Sequence, residues 1–83
     1  MTKKKVKIIE RKLGREGAVG LAHFDENLVE IDPRQDAYEW METIIHERMH
    51  LMFPKMSEKQ ITIKSHDLAK FLWDLHFRRT YNK

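Results

Sequence analysis

The residues best suited to chemistry in this chain are His46, Glu47 and His50, in the run His46-Glu47-Arg48-Met49-His50, which has HExxH spacing. Positions four apart lie on one face of a helix, one turn from each other, so the two imidazoles can aim at one tetrahedral metal. Glu47 sits beside that face. It is placed to bind and deprotonate a zinc-bound water rather than to ligate the ion.

Two histidines leave a catalytic zinc one protein ligand short. Glu58, His66, Asp67, Asp74 and His76 follow in the chain. A short turn at Pro54 predicts that the helix after it runs back antiparallel, which brings its first turn close to His50. Glu58 occupies that turn and points within about 40° of the helix's apolar stripe at 100° per residue. His66 lies about 12 Å farther along the axis at 1.5 Å per residue and is the reserve ligand. The expected zinc ligands are His46, His50 and Glu58, with Glu47 catalytic.

The elements that must position these residues are legible as a sheet followed by helices. Val6 to Leu13 reads as a first strand, Gly14-Arg15-Glu16-Gly17 as a turn, Ala18 to Phe24 as a second strand and Leu28 to Ile31 as a third. Together they predict a small antiparallel sheet. Asp36 with Glu39 forms a capping box for a helix from about Ala37 to Met52, which Pro54 stops. Ser57 with Gln60 opens a second helix, from Glu58 to about Phe77. Its buried stripe is expected at Ile61, Leu68, Leu72 and Leu75, with Ser65 and Ala69 small enough for close helix approach. The fold class is thus α+β, with three strands and then two long antiparallel helices. Arg48 falls within the apolar sector of the first helix and is the misfit there.

Composition bounds the rest. Eighty-three residues make one small domain, 1–83, with a basic arm over 1–5 and a fraying tail over 79–83. There is no cysteine, which excludes disulfides and thiolate zinc sites and favours a cytoplasmic protein. A metal would supply stability that a small core lacks. No apolar run approaches the length needed to span a bilayer. The net charge is +3, with Lys3, Lys4, Lys5, Lys7, Arg11, Lys12 and Arg15 crowded at the start. Such an arm invites nucleic acid or an acidic partner, but no aromatic residue interleaves with it to stack on bases, and lysines also protect a strand edge.

The stretch HERMHLMFPKMSEKQI, preceded by VEIDPR and followed by LAKFLWDL, resembles the small zincin-type metallopeptidases of gluzincin kind, including minimal forms common in phage and prokaryotic genomes. The resemblance covers most of the chain after about Gly17. It implies a zincin-like domain in which His46, His50 and Glu58 bind zinc and Glu47 is general base and acid. The implied activity is hydrolysis of peptide or protein substrates by a zinc-bound water. A second resemblance, to SprT-like proteases, would make His66 the third ligand. The competing class is a non-catalytic, zinc-stapled module that binds a partner or nucleic acid. If the site is catalytic, the strand from Ala18 to Phe24 offers an edge for an extended substrate. His23 or Tyr81 would be the candidates for an oxyanion contact, and Thr43 would lie near the metal without ligating it.

Overall fold

The computed structural model of the protein describes residues 5–80, so Lys3, Lys4 and Tyr81 lie outside the described residues. Three strands, β1 (Lys7–Glu10), β2 (Gly20–His23) and β3 (Leu28–Ile31), precede two helices, α1 (Ala37–Met52) and α2 (Glu58–Asp74). The α+β order expected from the sequence is the order observed.

β3 is the central strand, flanked by β1 and β2. β2 and β3 form an antiparallel pair, with Leu21 opposite Glu30 and Ala22 opposite Val29. Asn27 takes a left-handed φ of 50° in the turn between them, a conformation its short polar side chain tolerates. β1 instead pairs with β3 in parallel, so the sheet is mixed rather than purely antiparallel. Side-chain alternation has the same period in either direction and does not encode strand polarity.

β1 is also shorter than its apolar pattern suggested, because the chain after Glu10 leaves the ladder to cross the sheet. That crossing is anchored by Leu13, which is fully buried and donates its N–H to Asp32 Oδ2 at 2.9 Å. Asp32 also accepts from the backbone N–H, Nε and Nη2 of Arg34 at 3.0, 2.9 and 2.7 Å. The Arg34 guanidinium, then the N–H groups of Leu13 and Arg34, hold the Asp32 carboxyl far below the usual carboxylate range. One side chain thereby ties the crossover to the junction between β3 and α1.

The capping box at α1 is present. Asp36 accepts from the Glu39 N–H at 2.8 Å, and Glu39 accepts from the Asp36 N–H at 3.3 Å. At α2, Ser57 Oγ accepts from the Gln60 N–H at 3.2 Å. α2 stops at Asp74, short of Phe77, in a Schellman turn. His76 adopts a left-handed φ of 68°, while the N–H groups of His76 and Phe77 bond back to the carbonyls of Trp73 and Leu72. Arg78 then stacks 3.4 Å above the Trp73 ring.

α1 lies between the sheet and α2, touching β2 and β3 on one side, whereas among the helices and strands of the described residues α2 packs on α1. The fully buried apolar residues are Leu13, Val29, Ile31, Ile61 and Ala69. On α2 the buried line is Ile61, Ser65 and Ala69, four residues apart, while Leu68 and Leu75 are exposed. The small Ser65 and Ala69 let the helix axes approach, and the packed face is centred on them rather than on the leucines. Arg48 is exposed beside Met52 and Leu68. Among the described residues, no helix is long and apolar enough to cross a membrane.

Candidate metal centre

His46 and His50 project from one face of α1 with ring centroids 4.9 Å apart. Across from them, the first turn of α2 presents Glu58. Its Oε2 lies 2.7 Å from His46 Nε2 and its Oε1 lies 2.7 Å from His50 Nε2. The three side chains can each offer one ligand atom, all within 4.8 Å of one another. This group could hold a metal ion. The short turn through Pro54 brings the carboxylate there, since it folds the start of α2 against the end of α1.

Hydrogen bonding prepares His46 for the task. Ser65 Oγ lies 3.2 Å from the Thr62 carbonyl and 3.3 Å from His46 Nδ1, so with its proton directed to the carbonyl it can accept from an Nδ1–H of His46. In that tautomer the Nε2 lone pair is the one free to bind a metal ion at the shared centre. Without a cation, the two 2.7 Å contacts require a proton between nitrogen and oxygen, and a divalent ion takes the place of those protons. Partial burial opposes ionisation of Glu58, but the charges and hydrogen bonds of His46 and His50 outweigh it and hold its pKa below the ordinary value. Two imidazoles and one carboxylate, with Glu58 66% exposed, form an open three-ligand donor set that could take a metal ion.

Glu47 is half-buried beside this group. Burial raises its pKa, the nearby His46 and His50 oppose the shift, and the Glu58 charge adds to it. It lies where α1 meets β2. A hollow of about 360 Å³ on one side is lined by Val19, Glu42, Thr43 and Ser65. Another of about 360 Å³ on the other side is lined by Leu21, Phe24, His50 and Glu58. Gly20, His46 and Glu47 border both, so the two hollows adjoin along edge strand β2 beside the His46–His50–Glu58 group.

Gly20 makes the closest approach in the site. A Cβ there would fall 2.7 Å from Thr43 Cγ2 and 2.9 Å from Glu47 Cγ. Sequence reasoning passed over this glycine, although an isolated glycine in a strand signals close approach of a neighbour. It also took Ser65 only for a packing residue.

His66 stands apart from the His46–His50–Glu58 group. Its Nδ1 lies 2.6 Å from Glu42 Oε2, and its ring meets Tyr38 edge-on at 6.5 Å. His23 Nε2 is bonded to Glu30 Oε1 at 2.8 Å on the strand pair. Thr43 lines the groove and donates to Gln35 Oε1 at 2.8 Å. No family model, curated protein or solved structure matches the chain.

Proposed function

We propose that the protein is a zinc-dependent metallopeptidase in which His46, His50 and Glu58 hold the ion and Glu47 is the general base and acid. The observation that carries this reading is the convergence of the two Nε2 atoms on both oxygens of Glu58, with Glu47 beside them in a groove along a free strand edge. When bound, zinc supplies Lewis acidity toward the peptide carbonyl and lowers the pKa of water. Glu47 would take the proton of the attacking water and pass it to the leaving amine, a role that its half-buried place beside the three ligands allows. Ser65 can favour the tautomer of His46 whose Nε2 is free, and Gly20 leaves room for the Glu47 side chain against β2. An extended substrate gains main-chain hydrogen bonds from β2, whose outer edge pairs with no other strand among the described residues. The test is cleavage of an unfolded protein such as reduced casein by zinc-loaded protein, with Glu47→Gln as control. Loss of cleavage with zinc retained supports the reading, and equal cleavage by both rejects it.

A second reading, the zinc-stapled binding module, draws on one observation. Among the helices and strands of the described residues α2 packs on α1, and a metal joining Glu58 to His46 and His50 would pin the two helices together. A parent protein that binds zinc, melts higher with it and cleaves nothing would favour the staple.

A further inference from the structure

Glu42 lies on α1 one turn before His46 and lines the hollow on the Val19 side of the site. Glu47 and His46 border the same hollow on the metal-centre side, its other walls are uncharged, among them Ala18, Val19, Thr43 and Thr62, and no lysine or arginine borders it. Glu42 forms no ion pair with a lysine or arginine among the described residues. Among the described residues its carboxylate hydrogen-bonds to His66, whose Nδ1 is 2.6 Å from Oε2. That contact fixes the carboxylate, with His66 braced by the Tyr38 hydroxyl at 3.5 Å and by the Tyr38 ring.

We propose that Glu42 forms a cation-recognising subsite, so that substrates of this site carry Lys or Arg one or two residues C-terminal to the scissile bond. The inference rests on the peptidase reading. Its direction follows from β2, whose N-terminal end borders the Glu42 hollow and whose C-terminal end runs toward the His50 and Glu58 hollow. Antiparallel pairing is the more stable mode, and it lays the C-terminal part of a bound peptide toward Glu42. Glu42 precedes His46 by four residues, about 6 Å along the helix, which an extended peptide spans in about two residues. His66, set aside as a ligand, becomes the residue that positions Glu42.

The experiment uses zinc-loaded full-length chain and a peptide series that differs only in Lys, norleucine or Glu at the two positions after the cleaved bond. The expected kcat/KM order is Lys, norleucine, Glu, with Lys about five- to tenfold above norleucine, as for a partly exposed ion pair. Glu42→Gln should erase the order, Glu42→Lys should invert it, and His66→Ala should narrow it. Zinc uptake equal to the parent's establishes that each variant is folded. No order in the parent, or the same order in Glu42→Gln, overturns the subsite while leaving the peptidase reading intact. If the parent cleaves none of the peptides, the peptidase reading fails and the subsite is read from binding of the same series. Tighter binding of the Lys peptide that disappears in Glu42→Gln then upholds it, and equal binding of all three overturns it.

Discussion

His46 Nδ1 lies 3.3 Å from Ser65 Oγ, whose proton can go to the Thr62 carbonyl at 3.2 Å and leave the oxygen to accept from the imidazole. A buried serine on α2 can thus favour the imidazole tautomer whose Nε2 is free toward the candidate metal centre. Ser65→Ala keeps the small side chain that helix packing needs and removes only this bond. It is expected to weaken zinc binding by about tenfold, the usual scale for partners that orient ligands. Competition with a chromophoric chelator measures it, and parent-like affinity would show that the tautomer is set elsewhere.

Gly20→Ala tests the close approach of β2 to α1. The added methyl meets Thr43 Cγ2, which cannot swing away freely, and the stem of Glu47. Overpacking of this kind costs about 1–3 kcal/mol and here also displaces the base. The expected variant melts lower than the parent, retains zinc and loses peptide hydrolysis. Activity at the parental level would mean that Glu47 does not need its present seat.

Much of this arrangement was readable in the sequence, and the part that was not has a common cause. The α1 boundaries and both helix starts follow from local chemistry, the pairs Asp36–Glu39 and Ser57–Gln60 with Pro54 between them. The placement of Glu58 followed from helix geometry and a short turn, and His66 was already remote along the same axis. Strand direction was not readable, because β1 alternates equally well in either polarity. Nor was the burial of Leu13 or Asp32, whose partnership spans nineteen residues and exists only once the crossover closes. The exposure of Leu68 and Leu75 reflects packing that chooses the smallest side chains over the most apolar ones.

Asp32 links stability to pH. Its carboxyl has a lower pKa in the folded chain than in the unfolded one, so the unfolded state binds more protons as the solution is acidified. Its contribution is complete above the ordinary aspartate value and is lost as the pH falls toward the depressed folded value. Asp32→Asn should therefore melt below the parent at neutral pH, with the gap closing in strong acid. Thermal melts across that range measure it, and a gap that stays constant with pH would contradict the linkage.

Equilibrium dialysis of zinc against Glu58→Gln and His66→Ala tests which side chains hold the ion. Removing a ligand destroys affinity, whereas removing a residue that only braces Glu42 does not. The expected result is a loss of at least about a hundredfold for Glu58→Gln, beyond what partners of ligands usually contribute, and parental affinity for His66→Ala. Retention of zinc by Glu58→Gln together with its loss from His66→Ala would contradict the account and move the third ligand to His66.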